Sequence, residues 1–291
     1  MKRLTACLFF LFLTVSLFFS QKASDCILWQ LPAQNNYVGN SYVFLMNNGK
    51  VVVMDGGMKE EELYLRGFLA ALGNEVEAWF ISHPHHDHIG ALNEILKKPG
   101  DISIKKIYHS EFPQAYYEKF DTVYKPVTAE FYTNLRESGI EVINMTKPGK
   151  IIQIDKTKFK ILSVTNEDIT VNIYNNNSMV IKVWDQKKSF LFLGDLAEEG
   201  GDILLNGPYR GDLNCDYLQV AHHGQRGVRM DFYRSIEFKA CLWPTPLWLW
   251  NNDRGGGFDT DHFETIETRN LMDELGIKEH YVSWEGLVRI E

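Results

Sequence analysis

The sequence predicts an α/β fold, with two sheets and outer helices in one continuous domain over residues 25–291. Three observations carry this. Apolar runs of strand length recur between turn residues, starting with "ILWQLP" at 27–32. Amphipathic stretches of helix length fall between them, as in "DGGMKEEELYLRGFLAAL" at 55–72. No repeat, low-complexity segment or Pro/Ser linker breaks the pattern. With 45% apolar and 23% charged residues in 291, the composition suits a globular chain with a sizeable core.

Taken in order, the first residues stand apart. "MKRLTACLFFLFLTVSLFFSQKAS" opens with Lys2 and Arg3, continues apolar from Leu8 to Phe19 and ends in small and polar residues. That layout predicts a secretory signal peptide over about 1–24, with the protein secreted, periplasmic or at the cell surface. The apolar run is shorter than the roughly 20 residues of a membrane span, so no transmembrane segment is expected in the mature chain. Strands follow at "ILWQLP", "SYVFLMN" and "KVVVMD", separated by turns at "NNYVGN" and "NNGK". After the helix of residues 57–72, "EVEAWFIS" is a strand, Leu92 to Leu96 begin a helix, "IKKIYHS" is a strand and 127–138 a helix. "KIIQIDKTKFKILSV" holds two strands, and "SMVIKVWDQKKSFLFLGD" is a hairpin turning at "DQKK". "DYLQVAHHG" is a strand ending in two histidines. A helix near 230, the strand "ACLWP", a helix in "DHFETIETRNLMDELG" and two short strands complete the chain.

The formal charge of -8 does not indicate a broad basic groove, so no stable binding of duplex nucleic acid is expected, while a local basic patch stays open. Four cysteines, Cys7, Cys26, Cys215 and Cys241, form no CxxC and no dense disulfide framework. Export permits one disulfide among the last three, and the oligomeric state is open.

The chemistry concentrates in "FISHPHHDHIGAL", residues 80–92, which holds four of the nine histidines and an aspartate within six positions. Three strands end in groups able to bind a metal. "WFIS" leads to His83, His85, Asp87 and His88, "FLFLG" to Asp195, and "YLQVA" to His222 and His223. Imidazole and carboxylate suit zinc and related divalent ions. In an extended loop His83 and His85 point to one side and can share an ion. Asp87 and His88 follow a turn and can reach a second, and a carboxylate such as that of Asp195 can bridge the two.

"HPHHDH" resembles the HxHxDH motif of the metallo-β-lactamase-fold hydrolases. "DGG" at 55–57 is similar to their first motif and "LFLGD" to their bridging-aspartate motif. "NNNSMVIKV" (175–183), "SFLFLGDLAEEG" (189–200), "DYLQVAHHG" (216–224) and "DTDHFETIETRNLMDELG" (259–276) resemble the hydrolase-like domain of ComEC-type DNA-uptake proteins and its secreted relatives. The resemblance implies a four-layer αβ/βα sandwich with one or two zinc ions, manganese being the alternative. His83 and His85 would hold the first ion, Asp87, His88 and His222 the second, and Asp195 would bridge them. His223 would lie against the substrate and act with Asp87 and Asp195 in catalysis, Asp55 would buttress the loop by hydrogen bonds, and His86 would point away. Many members of the wider superfamily supply a third histidine to the first metal from a loop before the bridging aspartate. Here that loop reads "YNNNSMV", with Asn176 and Asn177, and Asn177 is the expected neighbour of the site. A first ion held by an amide would bind loosely, exchange or be manganese.

The implied reaction is hydrolysis by a metal-activated bridging water, with a phosphodiester or other small molecule as the favoured substrate. The alternatives are a lactone, thioester or β-lactam hydrolase, and a catalytically idle metal-binding module. Three further features bear on specificity. "CLWPTPLWLWNNDRGGGFDTDH" (241–262) carries Trp243, Trp248 and Trp250, either as an aromatic rim on the site or as packing against a sheet, followed by glycines that allow a mobile loop. His262 at its end is a candidate substrate contact by the resemblance. In "HGQRGVR" (223–229), Arg226 and Arg229 stand where a phosphate could be held.

Overall fold

The computed structural model describes residues 24–121 and 123–291. The expected signal peptide therefore lies, apart from Ser24, outside the described residues. The strands are β1 (Cys26–Gln30), β2 (Ser41–Met46), β3 (Val51–Asp55), β4 (Glu75–Phe80), β5 (Ser103–Ile104), β6 (Lys106–His109), β7 (Glu141–Asn144) and β8 (Ile151–Ile154). They continue with β9 (Thr157–Ile161), β10 (Ile181–Trp184), β11 (Ser189–Phe192), β12 (Tyr217–Gln219), β13 (Ala240–Trp243), β14 (Glu279–Val282) and β15 (Val288–Ile290). One sheet runs in the order β15-β1-β2-β3-β4-β6-β7, with β5 beside β4. The other runs β14-β13-β12-β11-β10-β9-β8.

Side-chain alternation along the strands builds the layers. Val52 and Met54 of β3 face the space between the sheets, while Val51 and Val53 face outward beneath helices. In the second sheet Phe190 and Phe192 face inward, and Leu191 and Leu193 outward. Both faces of each sheet are covered, so these strands read as continuous apolar runs. Aromatic rings fill the middle. Phe44 meets Phe159 and Phe190 edge-on, with centroids 5.7 Å apart in each case, and Phe80 stacks on Phe159 at 5.1 Å. Truncating such a ring costs about 3–5 kcal/mol. Helices Glu62–Ala71, His86–Lys97 and Lys125–Glu137 cover the first sheet through Leu65, Leu92 and Phe131. Helices Glu198–Asn206, Met230–Arg234 and Thr265–Glu274 cover the second through Leu204, Phe232 and Leu271. The result is the four-layer αβ/βα sandwich.

The turn expected at "DQKK" is an Asx turn, in which Asp185 Oδ1 accepts the backbone N–H groups of Lys187 and Lys188. Ser24 and Asp25 are tied to the same aspartate at 2.6 and 2.9 Å. One helix starts earlier than its apolar pattern indicates. It begins at His86 rather than Leu92, so Asp87 and His88 lie in its first turn, where a carboxylate is favoured by the helix dipole. Cys26, Cys215 and Cys241 are buried free thiols. Among the described residues no helix is long and apolar enough to cross a membrane.

Parallel pairing sets the position of the site. β3 and β4 run parallel in one sheet, as do β11 and β12 in the other. Their C-terminal ends emerge side by side and carry Asp55, the histidine loop, Asp195 and the two histidines of residues 222–223 to one edge of the sandwich.

Candidate metal centre

At that edge Asp195 is buried between two groups of donors. Asp87, His88, Asp195 and His223 bring one ligand atom each within 4.8 Å of one another, and so do His83, His85 and Asp195. Asp195 faces them with different oxygens. Oδ1 is 3.0 Å from His88 Nε2 and 3.4 Å from His223 Nε2. Oδ2 is 3.8 Å from His83 Nε2 and 3.7 Å from His222 Nε2. His223 Nε2 also lies 3.1 Å from Asp87 Oδ2.

Several hydrogen bonds aim these rings. Nδ1 of His223 donates to the carbonyl of Pro244 at 2.9 Å, and Nδ1 of His222 to that of Arg226 at 2.6 Å. A carbonyl only accepts, so each Nδ1 donates its proton there and each ring turns its Nε2 toward Asp195. His88 is aimed by Asp55, whose Oδ2 accepts from Nδ1 at 2.8 Å. Asp55 also accepts from Ser82 N, Ser82 Oγ and Asn40 Nδ2 at 2.6–2.8 Å. This is the second layer of partners that metal-binding histidines need.

Three carboxylates, Asp55, Asp87 and Asp195, are buried here, and among the described residues none pairs with a lysine or arginine. A buried charge is tolerated when a counter-charge or metal meets it. Burial pushes the His85 imidazole down to about 3 and that of His83 well below its ordinary range. For His223 burial also acts downward, but Asp195 and Asp87 outweigh it and raise the group to about 10. His88 is raised in the same way by Asp195 and Asp55. The field on this side therefore favours positive charge, from protons or a cation. His88 Nε2, His223 Nε2 and Asp195 Oδ1 are buried and lack hydrogen-bond partners. These orphaned atoms converge within one donor group and fit a divalent ion there, and the group of His83, His85 and Asp195 offers a second such position.

The two adjacent histidines reach one carboxylate because the backbone is left-handed at both. His222 has φ 51° and ψ 47°, His223 has φ 56° and ψ 19°, and Gly224 follows at φ 85°. In a strand neighbouring side chains would point to opposite faces. The left-handed conformation costs roughly 1–2 kcal/mol per non-glycine residue. Bonds from Thr245 Oγ1 to the His223 carbonyl and from His222 N to the Gly194 carbonyl hold it in place.

The structure corrects two expectations about this loop. His223, expected beside the substrate, sits in the second group with Asp87 and His88. His222, expected to complete that group, lies across Asp195 from it. Asn177 is not beside the donors, since its amide links the Asn166 N–H to the Tyr116 hydroxyl. Asn176 is likewise spent on Val171 O and Gly200 N. Asn175 is the asparagine at the site, with Nδ2 3.3 Å from His222 Nε2. Sequence reading missed it, along with Asn40, Ser82 and Ser178, whose Oγ accepts the Asp195 N–H. Three identical amides in a row give no signal of which one faces inward. His86 is half-exposed and stacks on Tyr124.

Beside His222 opens a cavity of about 390 Å³, lined also by Asn172, Asn176, Arg226, His262 and Phe263. Arg226 pairs with Glu264 at 2.8 Å, and His262 with Asp261 at 2.5 Å. Arg229 turns away to Glu198 and Asp202. Trp248 is not in the cavity wall. Its indole N–H donates to Asn36 O, and Arg254 covers its ring at 4.9 Å. Trp243 is buried and Trp250 packs against it. The glycine-rich loop is braced from within, because Asp253 accepts from Gly255 N and Gly257 N while Asn252 holds Asp259 and Asp261.

Residues 35–237 match the sequence profile of the metallo-beta-lactamase superfamily. Curated proteins give no match in sequence. Among solved structures the fold is similar to the metallo-beta-lactamase fold protein YhfI from Bacillus subtilis, at 13% identity and a TM-score of 0.55, over 91% of this chain and 100% of that one. CmlA, a diiron beta-hydroxylase from Streptomyces venezuelae, aligns at 12% identity and TM-score 0.54, over 93% of this chain and 55% of that one. Unliganded yeast PDE1 aligns at 9% identity and TM-score 0.51, over 89% and 97%. At these identities the likeness is one of fold.

Proposed function

The chain belongs to the metallo-β-lactamase superfamily, and we propose that it is a secreted hydrolase with two metal ions, acting on small phosphodiesters. The observation that carries this is the position of Asp195, with an imidazole pair on each carboxylate oxygen and, among the described residues, no lysine or arginine to neutralise it. His83, His85 and Asp195 would hold one ion and Asp87, His88, Asp195 and His223 the other, with zinc or manganese suited to such donors. Two such ions supply Lewis acidity and a water of lowered pKa. The rest falls to the chain. Asp55 and the Pro244 carbonyl keep the rings aimed, and the wall with Arg226 and His262 would receive an anionic ester. A wall with one arginine beside an acidic chain suits a small substrate better than a duplex. Export is proposed from the leader-like residues 1–24.

A substrate panel tests this reading. The purified protein, loaded with zinc or manganese, is offered bis(p-nitrophenyl) phosphate, p-nitrophenyl acetate and a chromogenic cephalosporin. Turnover of the phosphodiester, abolished by Asp195→Ala, is expected. Turnover of the carbonyl substrates alone would move the protein to the lactone, thioester or β-lactam class. The absence of bound metal would leave only a binding module.

A further inference from the structure

We propose that His222 is a ligand of the first metal position, so that two adjacent residues of one turn serve opposite sides of Asp195. This rests on the two-ion reading above. The second group holds four donors, whereas the first holds only His83, His85 and Asp195. His222 Nε2 lies 3.7 Å from Asp195 Oδ2, nearly the same separation as His83 Nε2 at 3.8 Å, and on the same oxygen. Donors about 2.0–2.1 Å from a shared zinc stand roughly 3.3 Å apart, so the separation of His222 from Asp195 is close to that of two ligands. His222 stands outside the 4.8 Å group of His83, His85 and Asp195 and would have to move toward the two histidines. The ring is already set for the task. The Arg226 carbonyl accepts from its Nδ1 and turns Nε2 toward the site, where Asn175 Nδ2 lies 3.3 Å from it.

The backbone points the same way. To serve the second group alone, the turn needs only His223 aimed inward. Holding His222 left-handed as well turns a second imidazole to the same carboxylate. The loop at 175–177 brings amides in place of an imidazole. Asn176 and Asn177 are spent on the fold, while the buried Oδ1 of Asn175 has no partner beside His222. His222 also differs from His223 in exposure, with 21% of its side chain accessible against 0%. It lines the 390 Å³ cavity. The first ion is therefore the one that substrate meets, and the more readily exchanged.

Glycine variants test this without disturbing the turn, because glycine adopts positive φ freely. Zinc binding is measured by isothermal titration and elemental analysis on wild type, His222→Gly, His223→Gly and the double variant, with circular dichroism as the check on folding. Wild type is expected to bind two equivalents. Each single variant should lose one or bind it roughly tenfold or more weakly. The double variant should be impaired at both positions. If His222 served the same ion as His223, the double variant would keep one equivalent at wild-type affinity, and the inference would be overturned. Unchanged binding by His222→Gly would overturn it too. Failure of wild type to bind two ions would instead remove the two-ion reading, so the two failures are told apart. Should the glycine variants misfold, His222→Asn, which tolerates the left-handed backbone, replaces His222→Gly against the same outcomes.

Discussion

Asp55 Oδ2 and His88 Nδ1 lie 2.8 Å apart at the floor of the metal centre, and the same carboxylate oxygen also accepts from Ser82 Oγ and Asn40 Nδ2. One side chain at the end of β3 thus fixes the tautomer of a ligand on the histidine loop. Asp55 has φ 54°, a conformation that asparagine also tolerates. Asp55→Asn should therefore fold while losing the negative charge behind His88. We expect metal affinity to fall by roughly 10–100-fold, read by competition with a chelator. Affinity equal to wild type would show that Asp55 only braces the loop.

The turn carrying the two histidines depends on Gly224. At φ 85°, a β-carbon there would meet the Trp243 ring at 2.5 Å. Gly224→Ala combines backbone strain with overpacking against a buried tryptophan, about 2–5 kcal/mol of lost stability. The displaced turn should also weaken the ion position to which His223 would contribute. Urea denaturation and metal content measured together check both, and loss of stability with full metal content would separate the turn's packing from its aim.

Much of this was legible in the sequence because chemistry and periodicity are local there. Five groups of metal-ligand type in "HPHHDH" admit few other readings, and "SFLFLG" reads as an apolar run of strand length. Three things were not legible. The division of labour between His222 and His223 is set by left-handed backbone angles that no residue type announces. The choice among three consecutive asparagines depends on the partners of Asn176 and Asn177, which come from distant segments. The helix start at His86 escaped because its first turn is the polar His86, Asp87 and His88, so the apolar pattern is hidden until Ile89. Trp248 looked like a rim residue, yet its indole serves a loop contact, since an aromatic run carries no sign of its partner.

His109, outside the metal centre, gives a pH signature. Burial pushes its imidazole from the ordinary 6.5 down to about 4. In this range the unfolded chain binds a proton that the folded chain does not, so stability falls as pH drops from about 6.5 toward 4. The fully developed loss is on the order of 3 kcal/mol. His109→Gln removes this group, so the difference in unfolding free energy between wild type and variant should narrow as pH falls from 7 to 4.5 in chelator. A difference independent of pH would mean that His109 is protonated in the folded protein or already neutral in the unfolded one.

Arg226 offers the test closest to substrate. Its guanidinium lines the cavity beside His222 but is 69% exposed and paired with Glu264, so its attraction for an anion is screened. On the proposed reading it would touch the ester and not the buried donors, so it should add similar stability to ground and transition states. Such uniform binding appears in KM and not in kcat. Arg226→Ala should raise KM for an anionic phosphodiester by about 3–10-fold, leave kcat within about twofold and leave metal content unchanged. The effect should shrink as salt is raised, because exposed charges are screened over roughly 8–10 Å at 0.1–0.15 M. A neutral carbonyl ester should show no change in KM. A fall in kcat with KM constant would place the arginine against the reacting phosphoryl group, and no change in either would mean that the ester leaves by another wall of the cavity.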